Sequence, residues 1–76
     1  MSRFIAERDD EFSDQAVVVE LSEDPDVNGG VVGYCVGPEA MNNAQEVADT
    51  INRTGRQPSE RKAAGLGYTV RAGHEF

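Results

Sequence analysis

Apolar positions alternate with small or polar ones in two neighbouring segments of the chain. In residues 15–21, the apolar positions expected on one face are Val17, Val19 and Leu21. In residues 31–36, the corresponding positions are Val32, Tyr34 and Val36. The stretch between them contains Asp24-Pro25-Asp26 and Asn28-Gly29-Gly30, which predicts a turn because proline fixes φ and Asn-Gly tolerates positive φ. The two segments are therefore expected to form an antiparallel hairpin of β-strands.

After the hairpin, apolar side chains recur at steps of three and four residues, which predicts one amphipathic helix. These side chains are Ala40, Met41, Ala44, Val47, Ala48 and Ile51. Pro38 and Glu39 suit the start of a helix, and Gly55 suits its end. We name Ala40, Ala44 and Ala48 the alanine ridge. Because these side chains are small, they would let the helix lie close against the hairpin.

The two ends of the chain complete the predicted sheet. Residues 3–7 alternate weakly and indicate a first strand, residues 66–72 indicate a last one, and Ser59 is placed to cap a short helical turn before it. The resulting order is β-β-β-α-β. It predicts an α+β fold in which a small antiparallel sheet of three to four strands carries one main helix. Residues 1–76 are expected to form a single domain.

Charge is divided unevenly along the chain. The net charge is −7, but the first fifty residues contain twelve acids against two arginines, whereas the remaining residues contain five cations against two acids. The domain therefore divides into an acidic segment (1–14), a hairpin with its helix (15–54) and a basic segment with the last strand (55–76). The oppositely charged parts could meet different partners, or they could serve solubility and pair with each other.

The chain offers little for catalysis. It has one histidine, His74, and one cysteine, Cys35. Zinc needs about four such ligands. Cys35 cannot form an internal disulfide, and its apolar neighbours indicate a buried side chain. A chain this short also lacks the material to enclose a substrate pocket of roughly 300 Å³ or more. We therefore assign no catalytic residue and no cofactor-binding residue, and we interpret the chain as not an enzyme.

One turn resembles half of a calcium-binding loop. Asp24, Asp26 and Asn28 supply oxygen atoms at every second position, and Gly29 allows a sharp bend. The twelfth loop position, however, is Cys35 where a glutamate is needed, and the flanking segments are predicted strands. A hairpin turn rich in Asp and Asn explains the same residues, so no metal ligand is assigned.

Two charged surfaces are candidates for binding. The acidic one, expected to contact a basic surface of another protein, consists of Glu7, Asp9, Asp10, Glu11, Asp14, Glu20, Glu23, Asp24 and Asp26. The alternative is a nucleic-acid-binding segment that consists of Arg53, Arg56, Arg61 and Lys62. A sequence pI near 4.4 argues against direct nucleic-acid binding, because the acidic part would repel a polyanion.

The hairpin and helix of residues 16–52 resemble a class of short bacteriophage and prophage proteins, which pair a valine-rich strand, a glycine turn and a second strand with a helix. The helix motif that carries the resemblance is Ala44-Gln45-Glu46-Val47-Ala48-Asp49-Thr50-Ile51-Asn52. Most proteins of this class have no assigned function. Those that have one tend to inhibit host or defence proteins, and this is what the resemblance implies.

A second resemblance is to HicB-type antitoxins. Val17-Val18-Val19-Glu20, Gly29-Gly30-Val31-Val32 and Tyr34-Cys35 are similar to the first two strands of that family, and an alanine-rich helix follows. The chain departs from the family after Val36, where Pro38 and the helix replace a third strand and its glycine-containing loop. The resemblance implies a toxin as the partner.

These observations predict a small acidic accessory protein of phage type that binds and inhibits or modulates a host or defence protein. The alternatives are a nucleic-acid-associated module or HicB-like antitoxin, and a structural homo-oligomer such as a homodimer formed through the alanine ridge or a sheet edge. No membrane-spanning stretch or signal peptide is recognised, so a cytoplasmic location is expected, in the host cell if a phage encodes the protein.

Overall fold

A computed structural model describes residues 3–21 and 30–73, which form a four-stranded antiparallel sheet and two helices. In chain order the elements are β1 (Arg3–Arg8), β2 (Gln15–Leu21), β3 (Gly30–Val36), α1 (Ala40–Thr54), α2 (Glu60–Gly65) and β4 (Tyr68–Val70). The strands lie in the order β1-β2-β3-β4. The α+β prediction is confirmed. Of the turn predicted at residues 22–30, Gly30 begins β3 and residues 22–29 lie outside the described residues.

The core forms where α1 packs on one face of the sheet, which we call the inner face. Phe4, Ala16 and Val18 supply buried side chains from the first two strands. In α1, Ala44 and Ala48 are completely buried. The alanine ridge therefore lets the helix lie close to the sheet, as the sequence predicts. For the same reason it cannot be an external interface, and the expectation of a homo-oligomer formed through the ridge is wrong.

A β-bulge in β3 changes which of its residues face the core. Val18 pairs with Gly33 and Val19 pairs with Val31, so Val32 is an extra residue between two pairs. Val32 is only 1% exposed, whereas Val36 is 47% exposed. The alternation of the sequence predicts that both share one face with Tyr34. That prediction is wrong for Val32, because the bulge shifts the pattern by one residue.

The ring of Tyr68 lies against Gly33 and ties the last strand to the sheet. A Cβ atom at position 33 would overlap the tyrosine ring and hydroxyl. The Tyr68 hydroxyl donates to Gln57 Oε1 at 2.7 Å, and Gln57 Nε2 donates to the Val32 carbonyl at 3.3 Å. Glycine at position 33 thus makes room for the aromatic ring that closes this side of the core.

The second helix extends the layer formed by α1. Ser59 caps it, because the Ser59 hydroxyl accepts the Lys62 amide hydrogen at 3.3 Å, as the sequence predicts. Ala63 is buried in the common core, and Lys62 Nζ donates to Thr50 Oγ1 of α1 at 3.1 Å. Both helices therefore lie on the inner face, and no described element covers the opposite face of the sheet.

The free edge of β1 is partly closed by a side chain from α1. Asn52 Oδ1 accepts the Phe4 amide hydrogen at 2.8 Å, and Asn52 Nδ2 donates to the Phe4 carbonyl at 2.9 Å. The amide group thus replaces the peptide of an adjacent strand. This contact hinders another chain from pairing with β1 at Phe4.

Replacing Gly33 with alanine should destabilise the fold by about 2 kcal/mol or more, because overpacking outweighs the smaller gain from reduced backbone freedom. Gly65→Ala is the control, since a Cβ at Gly65 meets nothing within 4 Å. Urea unfolding of the two variants and the parent measures the difference. Equal stability of the two variants would show that Tyr68 does not press against position 33.

Stability should decline above a pH of about 9. Burial raises the pKa of the Cys35 thiol from 9.0 to about 11 and that of the Tyr68 hydroxyl from 10.0 to about 12. The unfolded chain therefore releases these protons first. Their contribution to the free energy of unfolding is fully present below a pH of about 9 and is lost as pH rises towards about 12.

The variant Cys35→Ala separates this effect from other alkaline titrations. It removes the thiol, so the difference in unfolding free energy between the parent and the variant should shrink between pH 8 and about 11. Urea unfolding at a series of pH values measures this difference. A difference that stays constant over that range would contradict a raised pKa of the Cys35 thiol in the folded protein.

Candidate functional site

The loop between β1 and β2, residues 9–14, is the candidate site, and we call it the acidic loop. Backbone hydrogen bonds close it: the Asp9 amide donates to the Gln15 carbonyl, and the Gln15 amide donates to the Phe12 carbonyl, both at 3.1 Å. The Gly37 amide also donates to the Asp14 carbonyl at 2.8 Å, which ties the loop to the end of β3. The loop is therefore an ordered projection from one end of the sheet.

Asp9 shapes the acidic loop from within. Its Oδ1 accepts the amide hydrogens of Glu11 at 2.8 Å and Phe12 at 3.3 Å. Its Oδ2 accepts a hydrogen bond from Gln15 Nε2 at 3.1 Å. An aspartate side chain that accepts backbone amides two and three residues ahead is a known way to stabilise a turn. The Asp9 carboxylate thus holds the loop, and the other acids of the loop are the ones directed at solvent.

Phe12 stands on the surface of the acidic loop. It is 53% exposed, more than the other exposed large apolar side chains of residues 3–21 and 30–73, Leu21 at 44% and Val36 at 47%. The sequence gives only an indirect signal for this position, an aromatic residue between acids in a loop without apolar periodicity. The acidic surface predicted from the sequence does not include Phe12, which is therefore a site residue that the sequence does not reveal.

The carboxylates of Asp10, Glu11 and Asp14 surround Phe12 along the chain. All three residues are exposed. No ion pair or side-chain hydrogen bond holds these three carboxylates within the described structure. Internal charge pairing therefore does not account for this part of the acidic segment. The loop presents an apolar ring together with negative charges that are available to a partner.

A small cavity lies beside the acidic loop. It has a volume of about 50 Å³ and is lined in part by Arg8, Ser13 and Met41. Ligand pockets for small molecules usually measure roughly 300 Å³ or more. The cavity is far smaller than such a pocket, so the chemistry that this end of the molecule presents is that of the loop surface.

The structure divides the predicted acidic surface. Glu7, Asp9, Asp10, Glu11 and Asp14 lie in the acidic loop or on the strand leading into it. Glu20 pairs with Phe4 near the other end of the sheet, on the inner face, so it does not join the loop. Three further predicted residues, Glu23, Asp24 and Asp26, lie outside the described residues.

The predicted basic segment lies away from the acidic loop. Arg53 is in the last turn of α1, and Arg56 follows it in the connection to α2; both are exposed, as is Arg61. Lys62 is half-buried and donates to Thr50. Three of the four cations are therefore exposed, while the fourth holds α2 against α1.

The described residues contain no cluster of three or more histidine, cysteine or acidic side chains placed to hold a metal ion. The calcium-like turn with Asp24, Asp26 and Asn28 is outside the described part, as is His74. Cys35 is buried, as its apolar neighbours indicate. Neither α1 nor α2 combines the length and hydropathy that a helix needs to cross a membrane.

Comparison with known proteins gives no match, whether the chain is compared with protein-family models, with curated proteins or with solved structures. The similarities to phage-type proteins and to HicB-type antitoxins stay predictions that rest on the residues quoted above. What this chain can bind must therefore be inferred from its own geometry and charge.

Replacing Asp9 with alanine should destabilise the protein by about 1 to 2 kcal/mol and loosen the acidic loop, because two loop amides and Gln15 lose their acceptor. Asp9→Asn keeps the Oδ1 acceptor and should recover most of the loss. Urea unfolding measures stability, and amide hydrogen exchange at Glu11 and Phe12 measures the order of the loop.

Asp10→Ala is the matched control. The Asp10 side chain is exposed and makes no hydrogen bond or ion pair with any described residue. It should change stability by less than about 0.5 kcal/mol. If Asp9→Ala exchanges its loop amides no faster than this control, Asp9 does not hold the loop.

Proposed function

We propose that this protein is a small non-enzymatic accessory protein that binds a host or defence protein and inhibits or modulates it. The acidic loop is the binding element. Phe12 enters an apolar pocket of the partner, and the carboxylates beside it meet cations at the rim of that pocket. The phage-type origin of the protein is part of the proposal and is supported by the resemblance of residues 16–52.

The observation that carries the proposal is the exposure of Phe12 on an ordered loop. Burying a phenylalanine side chain gains roughly 1.5–3 kcal/mol relative to leaving it in water. Within the described structure Phe12 is 53% exposed, so much of this gain remains available to a complex. Large aromatic side chains that fill a pocket are typical of the few residues that supply most of the energy of a protein interface.

The charges around Phe12 indicate which side chains the surface of the partner should carry. Asp10, Glu11 and Asp14 are exposed around the phenylalanine, and the whole chain carries a net charge of −7. Lysine and arginine side chains at the rim of the partner's pocket would be attracted to these carboxylates. Such complementarity chiefly raises the association rate and excludes acidic surfaces.

The internal hydrogen bonds of the acidic loop support a binding role as well. Asp9 accepts from two loop amides and from Gln15 Nε2. A loop that is already ordered loses less conformational freedom when it binds, so more of the contact energy appears as affinity. The loop therefore combines an apolar anchor, charge and prior order.

The partner is identified by capture from a lysate of the source cell on the immobilised protein, with and without nuclease, followed by mass spectrometry. The proposal predicts one stoichiometric protein that survives nuclease treatment. Phe12→Ala should weaken its binding by about thirtyfold or more, which corresponds to a loss of about 2 kcal/mol. Titration calorimetry with the purified partner measures this change.

Two matched variants test whether the association rate depends on the position of a charge or only on the total charge of the protein. Glu11→Lys should slow association several-fold at low salt, and the effect should shrink as salt is added. Glu46→Lys makes the same charge change on the exposed side of α1 and should have a much smaller effect. If Phe12→Ala binds the captured protein as tightly as the parent does, the acidic loop is not the binding element.

A further inference from the structure

The face of the sheet opposite α1 has an apolar centre. Its half-buried side chains are Ile5, Val17, Val19, Val31 and Tyr34. Leu21 and Val36, also on this face, are 44% and 47% exposed. We call this surface the open face. The two helices lie on the inner face, so nothing in residues 3–21 and 30–73 covers it.

The open face is large enough to take part in an interface. Strands spaced by about 4.8 Å with a rise of about 3.3 Å per residue give a sheet of this size a projected area of about 300–400 Å². The largest apolar patch on a typical monomer measures about 300–600 Å² and often has a function, so the open face is of the size that binding surfaces have. Two such faces packed together cover about 600–800 Å² in projection, which is below the low end of the range for stable interfaces, so a dimer formed through them is expected to be weak.

The charges on the open face are arranged so that this face is complementary to a second copy of itself. Arg3 and Glu7 point to this face from the same strand, because they share its parity with Ile5. They are four residues apart, or about 13 Å. Glu7 lies at the end that carries the acidic loop, and Arg3 lies at the other end. A two-fold axis across the strands would place each arginine over the glutamate of the other copy.

The edges of the sheet offer less to a second copy. Asn52 occupies the backbone groups of Phe4 on the free edge of β1. At the other edge β4 has only three residues, Tyr68–Val70. Arg71, just beyond β4, donates from Nη1 to the Val31 carbonyl at 3.4 Å, so this guanidinium is held at the rim of the sheet. The open face is therefore the broader surface for contact between copies.

We propose that a second copy of this chain packs on the open face and that the two sheets form the inside of a homodimer. The second copy is turned so that the end with its acidic loop lies over the opposite end of the first copy. Ile5, Val17 and Val19 of both copies form the centre of the interface. Arg3 of each copy meets Glu7 of the other. The acidic loops lie at opposite ends of the dimer, clear of its centre.

The oligomeric state tests the proposal directly. Light scattering and sedimentation over a range of about 1 to 500 µM should show a mass that rises from 8.2 kDa towards twice that value. Val19→Thr keeps a strand-forming shape but replaces a methyl group with a hydroxyl on each copy, and it should weaken dimerisation about tenfold. Phe12→Ala, which changes the acidic loop only, should leave dimerisation unchanged.

Charge exchange tests the arrangement of the two copies. Arg3→Glu alone and Glu7→Arg alone should each weaken dimerisation several-fold at low salt, and the double variant should restore it, because the pair is then rebuilt with its signs exchanged. A double variant as weak as the single ones would overturn the reversed arrangement. Circular dichroism verifies that each variant is folded.

A mass of 8.2 kDa at every concentration would overturn the proposal. If Val19→Thr then also weakened capture of another protein, the open face would belong to that partner and not to a second copy. The function proposed for the acidic loop would stand in either case, because its test uses Phe12 and Glu11 and needs no dimer.

Discussion

The close packing of α1 on the inner face of the sheet is the contact on which the rest of the molecule depends. Ala44 and Ala48 are completely buried opposite a sheet whose Ala16 and Val18 are at most 1% exposed. Small side chains on both sides bring the two layers together. A chain of 76 residues forms few further elements, so the described helices cover one face of the sheet and leave the other open.

The same packing determines how the later part of the chain is fixed. The connection after α1 and the short strand β4 contribute few backbone pairs of their own. Tyr68 compensates by lying over Gly33 and by donating to Gln57, which in turn donates to the Val32 carbonyl. The bulge that turns Val32 inward supplies the apolar contact next to this network. One glycine and one bulge thus let a three-residue strand close the core.

Periodicity in the sequence predicts the fold class and most of the elements, although the last strand, expected at residues 66–72, spans only Tyr68–Val70. The alternation in residues 15–21 and the three- and four-residue spacing in α1 are local patterns, and both elements form where they are expected. The bulge at Val32 was not predictable, because it depends on the register between β2 and β3. The contact of Asn52 with Phe4 was equally hidden, since the two residues are 48 positions apart.

The sequence predicts where the candidate site lies, but not which of its side chains hold the loop and which face solvent. A count of charges located the acidic segment, yet it could not distinguish Asp9, which holds the loop, from Asp10 and Glu11, which face solvent. That difference depends on where the amides of the loop point. Phe12 would be expected inside a fold from its hydrophobicity alone, and only the geometry of the loop shows that it is exposed.

The loop and the open face are separate surfaces, and their relative placement has a consequence for binding. The acidic loop projects from one end of the sheet, while the open face runs along its length. In a dimer with reversed strand ends, the two copies of Phe12 would point away from each other. Each loop could then engage a partner without obstructing the other. A partner with two matching sites would gain avidity only if those sites were spaced to reach both ends at once.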